Sequence, residues 1–123
     1  MAIYHLSTKP VSRSSGRTAT ASIAYRAGIA IKDERTGKEH DYTKRSGVAY
    51  TQLHTPNGLK IDRNELWNLA ETTETRKNSR TAREIVVNLP YELSGRERIM
   101  LVNEFAKDLA TQYGVAVDVA VHT

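Results

Sequence analysis

At 123 residues, with 39% hydrophobic and 26% charged side chains, the chain has the length of one ordinary domain and the composition of a soluble globular one. No apolar run approaches the ~20 residues that a membrane-spanning helix needs, and the lack of cysteine excludes disulfides and thiolate metal sites. The net charge of +4 is unevenly spread: residues 1–50 hold nine Lys/Arg against four Asp/Glu, and residues 51–123 hold nine against ten. Up to Lys32, the basic residues Lys9, Arg13, Arg17 and Arg26 have no acidic neighbour in sequence. That suits phosphate contacts with a nucleic acid better than internal ion pairs, although a solvated basic face would look the same. The opening "MAIYHLSTKP" has neither a basic n-region nor an apolar h-region, so a cytoplasmic protein with no membrane partner is expected.

In chain order, "AIYHLSTK" alternates as a strand, and Ser14, Ser15 and Gly16 then offer caps for a helix over about 17–28 that Gly28 ends. The polar stretch 33–47 reads as a loop or short hairpin that leads into a strand at 48–54, its Asp33 to Arg45 segment a candidate for touching DNA, although a solvated loop would look the same. "TPNG" at 55–58 is a turn. Asp62 with Glu65 resembles a capping box for a helix to about Arg76, with Leu66, Leu69 and Ala70 toward the core and Trp67 beside them. "REIVVNLP" from Arg83 is a strand stopped by Pro90, with Ile85, Val87 and Leu89 opposite Glu84, Val86 and Asn88. Ser94 with Glu97 opens a helix to about Tyr113 that lines up Ile99, Val102, Phe105 and Leu109 and ends at Gly114. In the closing "VAVDVAVHT", Val115, Val117, Val119 and Val121 oppose Ala116, Asp118, Ala120 and His122.

Strands with one polar face and two amphipathic helices predict an α+β fold, a two-layer antiparallel sheet with helices on one face. Its open face would carry His5, Glu84 and His122 together. In the first helix Tyr25 shares its side with Thr18, Ala21, Ser22, Gly28 and Ile29. Small neighbours let another backbone come close, that of the sheet or of a nucleic acid. By pattern alone, a tyrosine packed on the core with a hydrogen-bonded hydroxyl is the more economical reading.

The run "MAIYHLSTKPVSRSSGRTATASIAYRAG", followed by "DERTG", "HDYTKRSGV" and "AREIVVNLP", resembles the N-terminus of MobA/MobL-family relaxases, from Met1 to the last residue. The resemblance implies an HUH-relaxase-like fold, of which residues 1–123 are the N-terminal part. It implies an enzyme that nicks one strand of plasmid DNA at an origin of transfer, stays joined to the 5′ phosphate through a tyrosine, and later reseals the ends. The nucleophile then falls on Tyr25. A phenol ionises at a pH of about 10, so it needs a base or a cation, for which Arg17, Arg26 and a metal are available.

Such relaxases hold a divalent ion, Mg or Mn, with three histidines. His122 matches the first; the others form a His-x-His motif on a following strand, and this sequence ends at Thr123, while His5, His40 and His54 make no such pair. An N-terminal fragment with an incomplete metal site is therefore expected, its strand edge open to self-association. The resemblance implies for Glu84 a catalytic supporting place as a carboxylate that orients a metal-bound histidine, although an exposed strand carboxylate would look the same, while Val86 stands where a second carboxylate often occurs. The implied partners are single-stranded origin-of-transfer DNA and relaxosome or type IV coupling proteins. The alternative is a fragment that binds single-stranded DNA without cutting it.

Overall fold

The computed structural model describes residues 5–73, 80–89 and 92–122, and their side chains except those of residues 5–7 and 80. The chain forms two compact units. One comprises Met1–Ser7, Gly47–Lys60 and Val86–Thr123; the other comprises Thr8–Ser46 and Ile61–Ile85. Helices mix with antiparallel strands, as expected, and the described strands pair as three two-stranded ladders.

In the second unit the chain leaves β1 (His5–Ser12) through a 3₁₀ turn at Arg13–Ser15 and enters α1 (Ala19–Ala27). The helix begins later than Ser14 and Ser15 suggest, because Gly16 sits in the left-handed region (φ 78°) and closes the 3₁₀ turn instead. Thr18 is the cap, its side chain accepting from the Ala21 N–H. Gly28 (φ 67°) ends α1 as expected, donating its N–H to the Ala24 carbonyl. The polar stretch after it forms a hairpin of β2 (Ala30–Lys32) and β3 (Glu39–Asp41), with Ile31 opposite His40. The buried Asp33 organises its turn: Oδ1 accepts the Arg35 and Thr36 N–H groups, and Oδ2 accepts the Thr20 hydroxyl of α1 at 2.6 Å. Burial alone would raise the Asp33 pKa; the bonds from Thr20 and the two amides outweigh it and lower the value.

The apolar centre of this unit is Ile23, Ala24, Ala27 and Ile31, with Ile29 and Trp67 packed against it. Asp62 accepts the Glu65 N–H and opens α2 (Arg63–Thr73) as expected. The inward face of α2 differs from the expected stripe. Leu69 is 52% exposed, while Asn68 and Glu71 are buried. The helix satisfies polar groups of its neighbours rather than filling an apolar space: Asn68 accepts the Glu34 N–H and donates to the Lys32 carbonyl. The expected helix end near Arg76 lies outside the described residues. β5 (Arg80–Asn88) pairs with β1 and begins three residues before Arg83. Ile85, expected in the core, is exposed, and the stop at Pro90 lies outside the described residues.

In the first unit β4 (Val48–His54) pairs antiparallel with β6 (Val117–His122), the register shifting between Val48 and Tyr50. Pro56–Gly58 forms the expected turn after β4, as a short 3₁₀ segment. α3 (Gly95–Tyr113) starts with a complete capping box between Ser94 and Glu97 and ends at Gly114 (φ 63°). It packs on β4 and β6 through the buried Ala106 and Ala110, with Val119 buried in the strand. Ile99, Val102, Phe105 and Leu109 are half-buried beside them. Asn103 bonds both the His54 ring and the Tyr50 hydroxyl, tying helix to ladder. Val115 precedes the strand and is exposed, against expectation. Among the described residues no helix is long and apolar enough to cross a membrane.

Candidate functional site

The second unit brings Tyr25 out of the core. α1 turns Ala19, Thr20, Ile23, Ala24 and Ala27 inward, and Tyr25, on the opposite face, is 44% exposed. The packed-tyrosine reading of the sequence is thereby corrected: the small side chains, not the phenol, fill the interior. Among the described residues the Tyr25 hydroxyl has no hydrogen-bond partner.

The ring is nonetheless held. Tyr42 meets it edge to face, with centroids 5.4 Å apart and planes at 88°. The Arg45 guanidinium carbon lies 4.1 Å from the ring centroid and that of Arg26 lies at 5.7 Å. Arg45 also donates from Nη1 to the Tyr25 carbonyl at 3.3 Å. The turn that carries Tyr42 and Arg45 follows β3. Asp41 accepts the Thr43 N–H and hydroxyl, Arg45 N–H reaches the Tyr42 carbonyl, and Tyr42 N–H reaches the Ile29 carbonyl just past α1.

Glu84 of β5 stands beside this group and bridges two arginines. Its Oε1 accepts from Arg17 and its Oε2 from Arg26 Nε at 3.0 Å. Desolvation works to raise its pKa, but the hydrogen bonds and charges of Arg17 and Arg26 prevail and hold it below the ordinary glutamate value. Both carboxylate oxygens thus accept hydrogen bonds from arginines. Glu84 sets the direction of Arg26 beside Tyr25.

The expectation that the early basic residues lack internal partners is also corrected. Arg13, its side chain only 10% exposed, pairs at 3.0 Å with the fully buried Glu71, and Arg17 and Arg26 pair with Glu84. The acids lie far off in sequence, so local charge could not show them. Lys9 is exposed and among the described residues makes no ion pair. Glu71 draws the unit together: Oε1 accepts from Arg13 and faces Arg35 at 3.4 Å, while Oε2 accepts the Ala19 N–H and the Thr81 hydroxyl. It thereby supplies the negative charge that the first turn of α1 lacks in its own sequence.

His122, at the end of β6, is exposed and lies opposite Val48 in the first unit; the side chain of His5 is outside those described. Among the described residues no group of three or more His, Cys, Asp or Glu could hold a metal ion. Tyr42 and Arg45 are the site residues that the sequence reading missed. Their signal was the quoted "HDYTKRSGV" run, read there as part of the family resemblance and of a polar loop, with no role given to either residue.

Residues 17–123 match the model of a family described as MobA/MobL. The chain is 52% identical over 122 residues to the mobilization protein MobL of Acidithiobacillus ferridurans, covering 99% of this chain and 32% of that protein. It is 37% identical to a probable mobilization protein MobA of Bifidobacterium longum, over 99% of this chain and 22% of that protein. Against the 43 kDa relaxation protein of Salmonella typhimurium the identity is 35%, over 87% of this chain and 26% of that protein. The chain therefore spans about a third or less of these relatives' length. A solved structure described as "Molecular Basis of Vancomycin Resistance Transfer in Staphylococcus aureus" superposes with a TM-score of 0.92 at 37% identity, over 99% of this chain and 63% of that one.

Proposed function

Because this chain belongs to the MobA/MobL family, we propose that it is the nucleophile-bearing part of a relaxase that nicks one strand at a plasmid origin of transfer. The observation that carries this reading is Tyr25, exposed at the end of a small-residue helix, its hydroxyl unengaged and its ring set among guanidinium groups. Relatives named as mobilization, conjugal transfer and relaxation proteins support it.

In this reading the Tyr25 oxygen, its proton lost to solvent or a base, attacks the scissile phosphorus in line. The P–O3′ bond breaks, the 3′ oxygen takes up a proton, and the 5′ phosphate stays on the tyrosine. One diester replaces another, so the step can run backward and reseal the strand. Arg26 supplies charge that an incoming phosphate would meet. Glu84 keeps Arg17 and Arg26 oriented until then.

The divalent ion, Mg or Mn, belongs to the proposal with His122 as the ligand from this chain. One imidazole does not hold a catalytic ion, and the described residues do not complete its site, so no step is derived through it. Lys9 and the partly exposed Arg17 and Arg26 are the proposed contacts to single-stranded DNA. Relaxosome or coupling proteins would engage the whole protein in the cytoplasm.

The test mixes the chain with labelled single-stranded oligonucleotides from its plasmid's transfer origin, with Mg²⁺ or Mn²⁺, and looks for a covalent adduct on a denaturing gel. An adduct that disappears in Tyr25→Phe is expected. An adduct that persists in that variant refutes Tyr25 as nucleophile. Salt-sensitive binding without any adduct makes the chain a DNA-holding module instead.

A further inference from the structure

A tyrosine ring on the outside of a helix ordinarily samples several rotamers. Tyr25 is 44% exposed, yet its ring has neighbours that oppose that freedom. Its ring is met at an angle of 88° by Tyr42 and covered by the Arg45 guanidinium at 4.1 Å. The same guanidinium donates to the Tyr25 carbonyl, so one planar group grips both the ring and the backbone of one residue. Arg26 is a poorer clamp, since it lies at 5.7 Å and its Nε is engaged by Glu84.

The clamp is itself anchored. The Tyr42 N–H bonds the carbonyl of Ile29, the residue after the glycine that ends α1, and Asp41 and Arg45 close the turn on either side. The turn is thereby fixed to the end of the helix whose side chain it holds.

We propose that Tyr42 and Arg45 are positioning residues for Tyr25: together they fix the direction of its phenol so that the hydroxyl addresses one point in space. The inference rests on the reading of Tyr25 as the attacking group. It deepens that reading by assigning a task to the turn after β3. Attack on phosphorus requires alignment, and a displacement near 1 Å at a nucleophile costs on the order of 100-fold in rate.

The experiment measures, on one labelled origin oligonucleotide, the single-turnover rate of adduct formation and the dissociation constant by fluorescence anisotropy. Arg45→Ala and Tyr42→Ala are expected to slow adduct formation by about 10- to 100-fold while the dissociation constant moves by less than about twofold. Tyr42→Phe keeps the rate, because an edge contact needs no hydroxyl. Arg45→Lys recovers little, because an ammonium cannot lie flat on a ring and bond the carbonyl as well. Unchanged rates, full activity in Arg45→Lys, or a rate loss matched by an equal loss of binding would each overturn the assignment; the last would make Arg45 a phosphate contact.

A second readout needs no DNA. In protein with ¹³C-labelled tyrosine rings, the resonance missing from Tyr25→Phe identifies Tyr25, and it is expected to shift in Arg45→Ala and in Tyr42→Ala. A resonance that stays in place overturns the clamp even in a chain that forms no adduct. An adduct surviving Tyr25→Phe defeats the functional reading. An adduct lost there but made at full rate by Arg45→Ala and Tyr42→Ala defeats this inference alone.

Discussion

Replacing Glu71 by alanine removes one carboxylate that serves four groups at once. The Ala19 N–H, in a residue 2% exposed, loses its acceptor at 2.5 Å, the Thr81 hydroxyl loses its own at 2.9 Å, and Arg13 and Arg35 lose their counter-charge. A buried donor left without an acceptor costs about 1–3 kcal/mol, and breaking a buried ion pair from one side costs about 3–5 kcal/mol in total. That is a large share of the roughly 5–15 kcal/mol by which a domain is stable. For a chain of this length it corresponds to a fall in Tm of roughly 10–20 °C. Glu71→Gln should do little better, since its amide NH₂ would face either the Ala19 N–H or the Arg13 guanidinium, donor against donor. The measurement is urea and thermal unfolding followed by circular dichroism, with Arg13→Met, Glu71→Met and the double variant closing a cycle. The double variant should lose less than the sum of the two single ones. A loss below about 1 kcal/mol for Glu71→Ala would refute the view that this carboxylate holds the unit together.

Glu84→Gln should flatten the acid limb of the stability curve. The folded carboxyl binds its proton more weakly than in the unfolded chain, so its contribution is complete above the ordinary value near 4.5 and is lost as the pH falls through the lower folded value; urea midpoints measured between pH 3 and 7 would show it, and parallel curves for both proteins would contradict it. Ser94→Ala should cost about 1 kcal/mol through loss of the cap on α3, read from chemical denaturation, with no change in DNA binding. Asn68→Ala leaves the Glu34 N–H and the Lys32 carbonyl unpaired and should cost about 1–3 kcal/mol, against near neutrality for a change at the exposed Leu69.

What the sequence makes legible is what lies within one turn of itself. The Ser94–Glu97 box, Asp62 ahead of α2, and the glycines that end α1 and α3 all act over three or four residues, and each is where the pattern puts it. Periodicity misled at α2 and β5 because it counts only apolar residues. Glu71 reaches Arg13 across 58 positions and Glu84 reaches Arg17 across 67, so their inward places depend on partners that no local window contains. The basic stretch before Lys32 misled for the same reason. Tyr25 was singled out through resemblance to a family, not through its spacing, which favoured a packed ring. Tyr42 and Arg45 stayed hidden because a polar turn looks alike whether it is solvated or aimed at a neighbour.

α1 is nine residues long, shorter than the ~12–15 residues below which an isolated helix is marginal in water. Its first N–H is held by an acid 52 positions further along. At ordinary elongation rates the ribosome needs roughly 3 to 10 s to travel that distance. A nascent chain therefore carries Tyr25 for seconds on a segment whose anchoring acid has not yet been made. The order of synthesis thus places the acid that anchors α1 well after the helix it anchors.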